Sequence, residues 1–184
     1  MKQLILGGAR SGKSRLAEAR ALEWSDECPD TCSEIGRGEL IYVATAKAGD
    51  DEMRQRIRAH QADRDARWQL VEAPLKLAEV LDRLRDRSAC VLVDCLTLWI
   101  SNALHEACWL QERDQLLEVM HSLQDAPLSV VLVSNEVGSG VVPMGQLSRE
   151  FVDASGWLHQ ALVPLCDTVT LVVAGLPLTL KGES

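Results

Sequence analysis

Three glycines, a lysine and a serine stand close together near the start of the chain, in LILGGARSGKS (residues 4–14). Gly7 opens the group, Gly8, Ala9, Arg10 and Ser11 follow, and Gly12-Lys13-Ser14 closes it. The spacing G-x4-G-K-S is that of a loop whose backbone amides fold inward around phosphate oxygens at a helix N-terminus, where larger side chains would block the cradle. Lys13 would place a point charge on the β and γ phosphates of a nucleotide, and Ser14 would bind Mg²⁺ through its hydroxyl. A glycine-rich turn that merely precedes Lys-Ser is the bland alternative. An apolar strand pattern before the loop and a helical pattern after it weigh against that alternative.

Such a loop needs a second oxygen ligand for the metal, normally at the end of a buried strand. Asp94 closes the apolar stretch CVLVD and is the candidate, although Asp at a strand end is also a common turn former. A third signal lies in residues 50–68, DDEMRQRIRAHQADRDARW. At helical spacing, Met53, Arg56, Ile57, His60, Arg64 and Arg67 fall within an arc of about 100°. An ordinary amphipathic helix does not put three arginines and a histidine on its core stripe. Guanidinium groups nearby favour a neutral, nucleophilic His60 imidazole, and Arg56 and Arg64 would draw in polyphosphate. A solvated helix making i,i+4 pairs, as between Asp63 and Arg67, explains the spacing equally well. In SNEVGSGVVP (134–143), Asn135 and Glu136 leave a buried strand where ligands gather in open α/β sheets, so Glu136 is a candidate base or holder of metal-bound water; a turn-capping Asn is the simpler reading. Arg149 and Asp153 stand four apart and are expected to pair on a helix. His105 and His121 read as solvated helix positions.

The elements that must position these residues alternate. KQLILGG (2–8) reads as a strand, SGKSRLAEARALEW (11–24) as a helix and ELIYVATA (39–46) as a strand, with DECPDTCSEIGRG (26–38) a surface loop between them. Residues 50–68 form a charged helix with Asp50 as N-cap, and LKLAEVLDRLRD (75–86) an amphipathic one. SACVLVDCLTLWI (88–100) is a continuous apolar run of the kind parallel sheets bury on both faces. ERDQLLEVMHSLQD (112–125) is a helix, LSVVLVSNEVGSG (128–140) begins as a buried strand, and 149–166 is helical. Residues 167–181 form two short strands around a Gly-Leu-Pro turn. Beta-alpha alternation with buried strands predicts a mostly parallel sheet flanked by helices, closed by an antiparallel C-terminal strand.

With 184 residues, 47% of them hydrophobic, the chain is expected to form one domain, residues 1–184. A formal net charge of −8 argues against a broad nucleic-acid surface. No apolar run approaches the length of a membrane span and the N-terminus lacks a secretory apolar segment, so the expected address is the cytoplasm. Cys90, Cys95, Cys108 and Cys166 lie in apolar stretches and read as buried thiols; Cys28 and Cys32 lack the partners a zinc site needs.

Taken in order, GGARSGKSRLAE, YVATA, DDEM-x2-RI-x2-H, VLVDCLTLW, SNEVGSGVVP, R-x-F-x-D-x2-G and GLPLTLK give the chain a resemblance to the bifunctional adenosylcobinamide kinase and adenosylcobinamide-phosphate guanylyltransferase family of cobalamin biosynthesis. The resemblance runs nearly end to end, sparing mainly residues 25–38 and 104–127. It implies a RecA-like P-loop fold and trimeric assembly with the active site near a subunit boundary. It further implies two reactions: phosphorylation of the aminopropanol hydroxyl of adenosylcobinamide by ATP or GTP, then transfer of GMP from GTP onto that phosphate through a guanylyl-histidine. By position in RI-x2-H, that histidine corresponds to His60. Two other classes stay open at this point. Another small-molecule P-loop kinase would explain Lys13, Ser14 and Asp94 but nothing about His60. A RecA-like ATPase module would spend hydrolysis on a partner. A GTPase switch would offer N-K-x-D, which the chain lacks.

Overall fold

The structure, a computed structural model, describes residues 1–27, 38–47 and 66–182. Expectations that fall on 28–37 and 48–65, the Cys28–Cys32 pair, the Asp50 cap and the His60 helix among them, lie outside the described residues.

Strands buried along nearly their whole length build the centre. In β1 (Lys2–Gly7), β2 (Glu39–Ala44), β4 (Ala89–Asp94) and β5 (Ser129–Asn135), successive apolar side chains go to opposite faces of the sheet. Leu4, Ile41, Val91, Val93 and Leu132 join one core, while Ile5, Leu40, Leu92, Val131 and Val133 join the other. Strands buried on both faces carry no polar side, which is why they read as continuous apolar runs.

The second core is covered by α1 (Lys13–Glu27), whose buried positions Lys13, Ala17, Ala21 and Ser25 recur every four residues. Small side chains on that stripe let the helix lie close to the sheet, and Ser25 closes its end by donating to the Gly38 carbonyl at 2.7 Å. The first core is covered by α2 (Leu77–Leu84), α3 (Leu96–His105), α4 (Trp109–Ser122) and α5 (Gln146–Leu162). Trp99 of α3 is fully buried and meets Trp109 edge-to-face at 5.8 Å, a geometry that adds to the burial of two large rings.

The sheet order is β3-β2-β4-β5-β1-β6-β7, with β3 (Trp68–Glu72), β6 (Thr168–Val173) and β7 (Leu176–Lys181) completing it. Every pairing is parallel except β6 with β7. The predicted mostly parallel sheet with an antiparallel C-terminal strand is therefore observed, and β5 stands between the loop-bearing β1 and the Asp94-bearing β4.

Three local expectations change. The run 88–100 is not one strand: β4 stops at Asp94, and Leu96, Trp99, Ile100 and Ala103 form the buried stripe of α3. Their i, i+3, i+4, i+7 spacing is helical, but an unbroken apolar run masks period. Trp68, expected to end the charged helix, instead opens a strand over 68–72, because WQLVE pairs in register with β2 as a half-exposed edge. The C-terminal turn is Ala174–Gly175, both at positive φ, and Leu176 and Pro177 already belong to β7. Pro177 is tolerated there because β7 is the outermost strand and needs no N–H on its free side. Cys90 and Cys166 are buried free thiols pushed up to about 12 by desolvation, while Cys95 and Cys108 are half-buried.

Candidate active site

Parallel strands aim their carboxyl ends at one edge, and that edge gathers most of the candidates. Gly7 ends β1, Asp94 ends β4, and Asn135 ends β5 with Glu136 next in the chain. The register places Gly7 beside Asn135, and the Glu136 N–H extends the ladder by one bond, donating to the Gly7 carbonyl at 3.1 Å.

Between Gly7 and α1, residues 8–12 make a tight turn. Arg10 and Gly12 adopt positive φ, 55° and 95°, which reverses the direction of successive amides. A Cβ on Gly7 would lie 2.6 Å from the Val172 carbonyl, so only glycine fits there. Lys13 is almost fully buried, and its Nζ donates to the Gly8 carbonyl at 3.1 Å, folded back over the turn. Gly175 of the β6–β7 turn donates its N–H to the Ser11 carbonyl at 2.8 Å. A cavity of about 670 Å³ opens against Arg10–Arg15, Ala174 and Gly175. Its size suits a nucleotide's phosphates and part of its sugar and base.

Asp94 faces the same side of the sheet as α1. Its Oδ2 accepts a hydrogen bond from the buried Tyr42 hydroxyl at 3.0 Å, and Tyr42 packs edge-to-face on Trp68 at 5.9 Å. Next in the chain, Cys95 is pinned by Thr45: the Cys95 N–H donates to Thr45 Oγ1 at 3.0 Å and the threonine hydroxyl donates to the Cys95 carbonyl at 2.7 Å. Burial raises the Cys95 thiol above its usual range and the Asp94 charge adds to the effect, which argues against Cys95 as a nucleophile.

A protein-only metal cage is absent among the described residues, where no three His, Cys, Asp or Glu side chains cluster. The donors do fit a hard cation held largely through phosphate oxygens, which asks for only one or two protein ligands. Among the described residues Asp94 Oδ1 takes no hydrogen bond while Oδ2 is engaged, and Ser14 sits half-buried in the first turn of α1.

Glu136 is tethered within its loop, Oε1 accepting from the Gly138 N–H at 2.7 Å. Behind it His159 of α5 is buried, with Nε2 and Ser134 Oγ 2.8 Å apart and Nδ1 4.0 Å from Glu136 Oε2. Arg149 is exposed and donates to the carbonyls of Pro143 and Met144 instead of pairing with Asp153. Arg67 binds Asp26 of α1 at 2.7 Å. His105 and His121 are exposed, as expected. His60, Arg56 and Arg64 lie outside the described residues.

A second cavity, about 800 Å³, lies between α3, α5 and the segment after β5. Leu104, Val137, Pro143, Leu147, Phe151 and Val152 make it mainly apolar, and Lys47, Asn102, His105 and Ser148 add polar groups.

Sequence reasoning missed Tyr42, Thr45 and the Ala174–Gly175 turn. Tyr42 carried the one available signal, a single phenol among the aliphatic residues 40–44 of β2.

Residues 3–180 match the family described as CobU, "Cobinamide kinase / cobinamide phosphate guanyltransferase". The chain is 50% identical to the "Bifunctional adenosylcobalamin biosynthesis protein CobP" of Pseudomonas aeruginosa, over 100% of this chain and 99% of that protein. It is 33% identical to the "Bifunctional adenosylcobalamin biosynthesis protein CobU" of Escherichia coli, over 98% of this chain and all of that one. Among solved structures, an ATPase domain aligns with a TM-score of 0.49 and 14% identity, covering 92% of this chain and 68% of that chain. The family match spans the glycine loop, the Asp94 strand and the C-terminal hairpin alike, and the chain belongs to the cobinamide kinase / cobinamide phosphate guanyltransferase family.

Proposed function

We propose that this protein phosphorylates the aminopropanol hydroxyl of adenosylcobinamide with ATP or GTP, then transfers GMP from GTP to the new phosphate, releasing pyrophosphate and adenosylcobinamide-GDP. The observation that carries the reading is the glycine loop, with Lys13 folded over the Gly8 carbonyl, opening on a nucleotide-sized cavity at the same sheet edge as Asp94.

In the first step the acceptor oxygen forms a bond to the γ phosphorus while the bond to the β-bridging oxygen breaks, and the hydroxyl proton passes to Glu136 or a water it holds. The amides of Gly8 to Gly12 and the Lys13 ammonium, released from Gly8, neutralise the phosphates. Ser14 and Asp94 would hold Mg²⁺, which when bound supplies charge neutralisation at the β and γ oxygens. In the second step a ring nitrogen of His60 attacks the α phosphorus of GTP and pyrophosphate leaves; the corrinoid phosphate then displaces the histidine. Arg56 and Arg64 would steady the triphosphate. The second cavity, amphiphilic and lined by α3, α5 and Val137, the residue after Glu136, would receive the corrinoid acceptor. The protein would act in the cytoplasm as a homotrimer, each site lying near a subunit boundary. No described helix is long and apolar enough to cross a membrane.

The test is to incubate the protein with Mg²⁺ and GTP labelled at its α phosphate, denature it, and look for acid-labile, base-stable label. Label on the wild type and none on His60→Ala is expected. Label persisting on His60→Ala removes His60 as nucleophile, and a wild type that phosphorylates without ever becoming labelled is a plain kinase.

A further inference from the structure

Among the described residues, the Tyr42 hydroxyl is one of the buried polar groups at this edge that neither reaction uses. Tyr42 is 3% exposed, stands two residues before the end of β2, and pairs in register with Leu92, two residues before Asp94 on β4. Both side chains therefore project from the same face, the one α1 covers, and the phenol reaches forward to donate to Asp94 Oδ2 at 3.0 Å. The ring cannot swing away, since Leu40, Leu92 and the edge of Trp68 share its core.

We propose that Tyr42 is a positioning residue for the metal-binding carboxylate: it occupies Oδ2 of Asp94 and so presents Oδ1 to the cation shared with Ser14 and the nucleotide. A carboxylate at a strand end turns freely about two side-chain bonds, and a free one offers a cation either oxygen in many orientations. A donor fixed in the sheet selects one orientation before the cation arrives, which lowers the ordering cost of binding. The phenol suits this place because it donates without carrying charge. A lysine or arginine there would neutralise Asp94 and compete with the metal. The inference rests on the reading of Asp94 as metal ligand, and the experiment separates the two.

Mn²⁺ binding to the protein with β,γ-imido-ATP, followed by the electron-spin signal of free Mn²⁺, reads the effect without turnover. Tyr42→Phe removes the hydroxyl and keeps the ring on Trp68. One hydrogen bond's worth of positioning predicts Mn²⁺ affinity weaker by about three- to tenfold, with unchanged binding of the analogue in EDTA and an unchanged unfolding midpoint. Asp94→Asn should weaken Mn²⁺ further, and adding Tyr42→Phe to it should change nothing more. Wild-type Mn²⁺ affinity in Tyr42→Phe, with Asp94→Asn impaired, overturns the proposal and leaves Asp94 a ligand. An equal loss from Tyr42→Phe in both backgrounds overturns it as well, because the hydroxyl then acts elsewhere. Full affinity in Asp94→Asn removes the Asp94 reading and this inference with it.

Discussion

His159 and Ser134 meet inside the protein, Nε2 to Oγ at 2.8 Å, joining α5 to the strand that runs beside the glycine loop. Desolvation lowers the His159 pKa below its ordinary 6.5, and the Glu136 carboxylate, 4.0 Å from the other ring nitrogen, only partly opposes this. The folded protein thus binds fewer protons than the unfolded chain between the depressed value and 6.5. Stability must then fall as pH drops through that window and level off beneath it. The urea midpoint should decline from pH 7 to pH 5, and His159→Gln, which keeps a group within reach of Ser134 but does not titrate, should decline less. Identical slopes in the two proteins would mean that His159 is not the group responsible.

Lys13 is expected to serve both reactions, since one glycine loop is available to hold the triphosphate. Lys13→Met should slow phosphorylation of adenosylcobinamide by about 10²- to 10³-fold, the usual consequence of removing a donor aimed at developing phosphate charge. Labelling of His60 by GTP should fall in parallel. Loss of phosphorylation with undiminished labelling would place the guanylyl step on a different nucleotide site.

The sequence carried the β1 loop, the acid at the end of β4 and the parallel core because each is a local pattern: glycine spacing, or a run of aliphatic residues ended by a carboxylate. What it hid has physical reasons. Helix α3 went unread because its first residues are apolar and continue the run that Asp94 interrupts, which masks their helical period. Edge strand β3 was hidden by exposure, with polar Gln69 and Glu72 diluting any alternation. Tyr42 and His159 were hidden because their partners lie 52 and 25 residues away, and such pairings exist only once the sheet is assembled.

The β6–β7 turn should hold the glycine loop in shape. Gly175 adopts φ +82°, its N–H binds the Ser11 carbonyl at 2.8 Å, and a Cβ on Gly12 would come within 3.4 Å of its Cα. Gly175→Ala places an L side chain in the left-handed region at a cost of about 1–2 kcal/mol, which lowers the unfolding midpoint by roughly 2–8 °C for a chain of this size. Nucleotide affinity should fall too, because relief of that strain shifts the backbone N–H that holds the Ser11 carbonyl. Gly140→Ala, where an added methyl meets only open space, is the matched control and should leave both measurements alone. Equal effects from the two substitutions would show that the turn does not support the loop.

The acceptor cavity can be tested by filling it. Leu147 is 65% exposed yet lines the apolar wall between α3 and α5, so a larger side chain there takes up cavity space without forcing the core apart. In Leu147→Trp the KM for adenosylcobinamide should rise about tenfold or more, roughly the loss of one well-packed apolar contact. Labelling of His60 by GTP alone involves no corrinoid, and its rate should stay at the wild-type value. That pair of results separates the two cavities by function, because a general distortion of the sheet edge would slow the labelling as well. An unchanged KM for adenosylcobinamide would exclude this cavity as the corrinoid site.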